Sequence, residues 1–188
     1  MDQRWAELAE TLRVLGMWDR LSDQEAAEAE RTIADGGYPF RKPEALEGVL
    51  WFYLDSEEMA EGQIRFKLSA IEPALREHGV GLCIDVLNHP DVEATVGDYI
   101  IALNGRRCVM WTQADWAQPW IARRKATVRP LAVLNDQLAE AGATVRLFTL
   151  YAGSEEATGW LPDPRIVAAV TDSGLIEERE LPVLAVHA

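Results

Sequence analysis

Tyr99-Ile100-Ile101-Ala102-Leu103-Asn104-Gly105-Arg106-Arg107-Cys108-Val109-Met110-Trp111 is the stretch that decides the fold. Two runs rich in β-branched and aromatic residues flank Asn104-Gly105. That dipeptide suits a two-residue type I′ turn, because both central residues of such a turn take positive φ and Asn and Gly bear this at least cost. The reading is a β-hairpin, and a hairpin imposes antiparallel pairing at the middle of the chain.

Working outward, residues 81–87 alternate weakly as a strand and lead into an Asn88-His89-Pro90-Asp91 turn. On the other side, residues 116–124 read as a helix, and Pro130 is placed to open a second one through Leu131, Leu134 and Leu138 to a stop at Gly142. Residues 145–151 read as a strand, 153–159 as a loop, and Trp160-Leu161 as a short strand. Asp163-Pro164 supplies the N-cap and first-turn residues of a helix to about residue 172. A last strand over 180–186 is confined to a sheet edge by Pro182.

Toward the N-terminus, Val49-Leu50-Trp51-Phe52-Tyr53-Leu54 reads as a strand covered on both faces. A helix follows Asp55 and runs through Ile64, Leu68, Ile71 and Leu75, kinked at Pro73. Residues 1–37 form a helical pair. Trp5, Leu8, Ala9, Leu12 and Leu15 recur at helical spacing before Gly16, and Ser22 with Glu25 makes a capping box for a second helix with a thin apolar stripe. The expected class is therefore α+β: a mixed, mainly antiparallel sheet with a central Asn-Gly hairpin, packed against several helices. The βαβ alternation of a doubly wound sheet does not persist. The 188 residues fit a single domain, 1–188, which at this length buries about 70% of its unfolded surface without staples.

With 48% hydrophobic and 26% charged residues, the composition excludes disorder and fibrous repeats. The longest apolar run, 49–54, falls far short of the roughly 20 residues of a membrane span, and the charged opening is unlike a signal peptide. A cytoplasmic protein is expected, with no membrane partner. Thirty-one acids against eighteen bases give a net charge of −13. This disfavours nucleic acid and favours a basic partner protein. The surplus is uneven: residues 1–80 carry net −8, 81–150 are neutral, and 151–188 carry −5.

No nucleophile elbow, phosphate-binding loop or metal-ligand spacing is present, so no catalytic residue, metal or cofactor is assigned. Cys83 and Cys108 both fall in strand-like runs and read as core residues. Asp55, Glu57, Glu58 and Glu61 place four carboxylates in seven residues at a strand-to-helix junction. They serve as a solvated helix start, as a contact for a basic surface, or as a divalent-metal site, for which no histidine or Asp-x-Asp pattern completes the shell. Glu155, Glu156 and Trp160 add a second acidic segment beside an aromatic anchor. The chain is rich in tryptophan, with seven; Trp5, Trp51 and Trp111 read as buried, and Trp18, Trp116, Trp120 and Trp160 lie near turns or helix ends. Arg123, Arg124, Lys125 and Arg129 form a basic cluster that either pairs with the chain's own acids or holds an anion.

These features support a non-catalytic acidic protein-binding module, an inhibitor of a basic partner in the manner of an antitoxin or immunity protein. Its contacts would be Asp55, Glu57, Glu58, Glu61, Glu155, Glu156 and Trp160. One alternative is an enzyme or small-ligand binder, with an anionic substrate on Arg123, Arg124 or Arg129 and Asp55 or Glu58 as acid or base. Another is a structural or assembly subunit.

Overall fold

The structure is a computed structural model that describes residues 2–89 and 97–187. Among these, eight α-helices and two antiparallel sheets of seven strands make an α+β fold. Pro90 and Asp91 of the expected turn lie outside the described residues.

The hairpin forms as its sequence requires. Strand β3 (Tyr99–Leu103) pairs with β4 (Arg106–Trp111), Leu103 opposite Arg106, and Asn104 and Gly105 take φ of 50° and 78°. Asn104 also ties the turn to its surroundings. Its side chain accepts from Cys83 N (2.6 Å) and donates to Gly81 O (2.7 Å) and to Gln137 Oε1 (2.6 Å). Strand β2 (Ile84–Asn88) completes this sheet in the order β2-β3-β4. Cys108 is buried, but Cys83 stands just before β2 and is exposed, which corrects its assignment to the core; both thiols are free.

The N-terminal pair also forms. Helix α1 (Gln3–Val14) buries Leu8, Ala9 and Leu12, and α2 (Asp23–Ala34) begins on the Ser22–Glu25 capping box. Only Ile33 of α2 is buried, so the helix rests on a narrow stripe. After a link over residues 38–50, β1 is shorter than the apolar run suggested, Trp51–Tyr53, because Gly48 N donates to Trp51 O and turns the chain in tightly (2.8 Å).

Two proline expectations are corrected. Instead of one kinked helix after Asp55, the chain makes α3 (Ser56–Ala60), α4 (Ile64–Ser69) and α5 (Glu72–Glu77), with Pro73 in the first turn of α5, where its missing N–H leaves no bond unmade. Pro130 does not open a helix. After α6 (Gln113–Trp116), α7 runs unbroken over Pro119–Glu140 with Pro130 buried inside it. Ten residues of α7 are buried, and this packing outweighs the one internal hydrogen bond that proline removes.

Strands β5 (Phe148–Leu150) and β6 (Thr158–Trp160), helix α8 (Pro164–Ser173) and edge strand β7 (Val183–Leu184) finish the chain. The expected 153–159 loop thus gives its last two residues to β6, and the terminal strand shrinks to two residues. The second sheet has the order β1-β6-β5-β7. Its alternation places Trp51, Phe148, Leu150 and Trp160 in one apolar cluster with α1, α2 and α8. Phe52, Leu54, Ala157 and Leu161 belong to another, with α7 and the hairpin sheet. The sheet is therefore a wall between two cores. Gly159 is required there, since a Cβ at that position would meet the Phe52 ring. Asn135 of α7 fixes the wall by donating to Leu147 O (2.8 Å) and Ala185 O (2.9 Å) and accepting from Leu147 N (2.6 Å). No described helix is long and apolar enough to cross a membrane.

Candidate functional site

Of the six carboxylates singled out from the sequence, Asp55, Glu57 and Glu58 are engaged within the chain. Asp55, at φ 25°, caps α3 by accepting from Glu57 N (3.1 Å) and Glu58 N (3.2 Å). Glu57 pairs with Arg123, and Glu58 with Lys67. Glu61 and Glu155 are exposed. The basic cluster is spent in a similar way. Arg129 donates to Val109 O (2.9 Å), and Lys125 pairs with Asp115 (2.5 Å), so the chain's own acids take up part of the cluster. Burial drives the Asp115 carboxyl upward, but Lys125 and the Thr112 backbone and hydroxyl outweigh it and hold the group below its ordinary value. Arg124 is exposed beside Gly153. Among the described residues, no three His, Cys, Asp or Glu side chains gather so as to hold a metal ion.

A pronounced concave feature lies elsewhere. A half-open cleft of about 950 Å³ is lined by three parts of the chain: α2 with the turn before it, the 38–46 link, and the β5–β6 end of the wall sheet. Trp18, Phe40 and Trp160 are buried side chains lining it, the last two meeting edge to face at 5.3 Å. Exposed charged side chains line it too: Glu25, Glu28, Glu44 and Glu156 against Arg41 and Lys42. Carboxylates thus outnumber cations around an apolar interior. Lys42 is partly committed, its ammonium lying 5.0 Å from the centre of the Tyr53 ring.

Two of the lining residues come from a loop held from behind. Tyr151, at φ 58°, and Glu156 bracket this loop. Ser56, wholly buried, accepts from Gly153 N (2.8 Å) and from the Thr127 hydroxyl (2.8 Å), while its own N–H donates to Ser154 O (3.0 Å). In front, the Tyr151 hydroxyl donates to the Glu180 carboxylate, and the Tyr38 hydroxyl to the Glu180 carbonyl (2.6 Å). The carboxylate and partial burial push the Tyr151 phenol up to about 12; burial pushes that of Tyr38 upward as well. Both hydroxyls therefore remain donors at neutral pH. The Asp55-Ser56 junction acts here as a support for the 151–156 loop.

Of the residues named from the sequence, Glu156 and Trp160 are brought together at the cleft, Trp160 as fully buried lining. Asp55, Glu57, Glu58, Glu61, Glu155 and the arginines are not among its lining. Sequence reasoning missed Glu28, Phe40 and Tyr38, and named Trp18 only as a tryptophan near a turn. Glu25 was noticed only as a capping residue, and the one local hint of a site was the thin apolar stripe of its helix. Compared with protein families, with curated proteins and with solved structures, the chain finds no match.

Proposed function

We propose that this protein is a non-catalytic binding module that captures a basic partner protein in the cleft beside α2. The observation that carries the reading is the union, in one concave surface, of aromatic lining with a carboxylate excess. The lining side chains that remain accessible, Leu21, Tyr38, Leu50 and Tyr151, give binding energy when desolvated, and the surrounding charges steer approach and select sign. The chain's net charge of −13 extends that attraction beyond contact distance. Occupation would occlude the partner's surface, as an antitoxin or immunity-type inhibitor does. Support for this site over the 55–61 carboxylates comes from the ion pairs to Arg123 and Lys67, which already compensate part of that charge.

The test is capture from the native host at low ionic strength, with wild type beside a Glu28→Lys/Glu156→Lys variant. One basic protein is expected on the wild-type chain, released as salt rises and absent from the charge-reversed chain. Capture indifferent to both salt and charge reversal would overturn the reading, as would failure to retain any basic protein.

A further inference from the structure

We infer that the occupant of the cleft is a basic amphipathic α-helix, about two turns of which are seated. The inference rests on the cleft being the basic-partner site, and it adds the secondary structure and side-chain pattern of what enters.

The first argument concerns the backbone. An occupant desolvated against the accessible apolar lining, Leu21, Tyr38, Leu50 and Tyr151, must satisfy its own N–H and C=O groups. The sheet wall bordering the cleft offers it little. On the outer side of β1, Trp51 is taken by the chain itself, through the Gly48 N to Trp51 O bond and the Glu47–Trp51 bridge, and none of Trp51–Tyr53 lines the cleft. The other edge strand, β7, does not line the cleft. Strand addition is thus closed at this site, while a helix carries its hydrogen bonds internally.

The second argument concerns shape. On α2, Glu25, Ala29 and Thr32 fall at spacings of four and three, on one face that lines the cleft. The small Ala29 and Thr32 side chains let another helix approach to the usual 8–10 Å between axes. A two-turn helix, about 10 Å across and 11 Å long, displaces roughly 900 Å³, close to the cleft's volume of about 950 Å³. It would join α1, α2 and α8 as a further member of the helical layer on this sheet.

The third argument is charge. Glu25 and Glu28 stand one turn apart on α2. Basic side chains three or four residues apart on the incoming helix would meet them, as flanking charges do between packed helices.

The experiment titrates the full chain with three stapled peptides lacking tryptophan, followed by tryptophan emission. One is a Leu/Lys amphipathic helix; one has the same residues reordered so that leucines share no face; one has every Lys replaced by Glu. The amphipathic basic peptide is expected to bind at least about tenfold more tightly than either other, equivalent to about 1.4 kcal/mol, and to weaken as salt rises. Glu28→Lys should weaken it by about the same factor, and Ala29→Trp should abolish it by filling the cleft. Equal binding of the two basic peptides would overturn the helix inference while leaving the basic-partner reading standing. Equal binding of the acidic peptide would overturn both. Affinity unchanged by Glu28→Lys and Ala29→Trp would place binding elsewhere and overturn the inference. Should Ala29→Trp fail to fold, the exposed Glu28→Lys decides alone.

Discussion

Asn104 combines two functions in one side chain: it accepts positive φ, and its amide joins the turn to residues 81–83 and to α7. Asn104→Gly keeps the first and loses the second, so denaturant unfolding should show a loss of about 1–3 kcal/mol with an unchanged m-value. Gly105→Ala has open space around the new methyl but keeps φ near 78°, so its loss should be about 1 kcal/mol, from backbone strain alone. The thiols should separate kinetically. Cys83 is exposed, whereas burial pushes the Cys108 thiol up to about 11 despite the opposing charge of Arg129. A thiol reagent at mildly alkaline pH should titrate one cysteine in the native protein and two after unfolding. Burial, with a smaller contribution from Cys108, likewise pushes the Tyr99 phenol up to about 12. Its pKa is raised on folding, so the unfolded chain releases the proton first; stability is intact below pH 10.0, the ordinary value, and falls toward about 12. Tyr99→Phe should flatten that alkaline loss, measured as the urea midpoint against pH. The turn could be read from two adjacent residues because its energetics are local. The exposure of Cys83 could not, because the start of β2 is set by pairing with a strand some twenty residues away.

At the scale of elements, proline shows where sequence reading stops. Local chemistry gives the cost of Pro130 in a helix but not the compensation, which comes from packing α7 between two sheets. The capping box at Ser22 was legible for the opposite reason: all its partners lie within four residues. The cleft joins α2 and the adjoining 38–46 link to β5 and β6, which lie some hundred residues further along, and no periodicity reports such an encounter. Trp160 was legible as an aromatic beside acids, whereas its burial against Phe40 follows from the sheet register. The fit of β6 against β1 is steric. Gly159→Ala should destabilise by about 1–3 kcal/mol through overpacking on Phe52, and Phe52→Leu should recover part of that loss in the double variant, a coupling visible in a double-mutant cycle.

Across the whole molecule, burial is unevenly distributed. Helix α2 buries Ile33 alone, whereas α7 buries ten residues and reaches both sheets. Hydrogen exchange should therefore find the slowest amides in α7 and earlier opening in α2. A seated helix should slow exchange in α2 more than in β2. The α+β class was legible because the hairpin and the helical periods each stand on local pattern. That the strands divide into two sheets was not, since it depends on which faces α7 covers.

Trp160 and Gly159 are neighbours in β6, yet one side chain serves the cleft and the other position receives Phe52 from the opposite core. A single peptide link thus separates the floor of the cleft from a tight contact of the other core. Calorimetry should register one endotherm rather than two, and an occupant that touches only the near half should carry the entire transition upward with it.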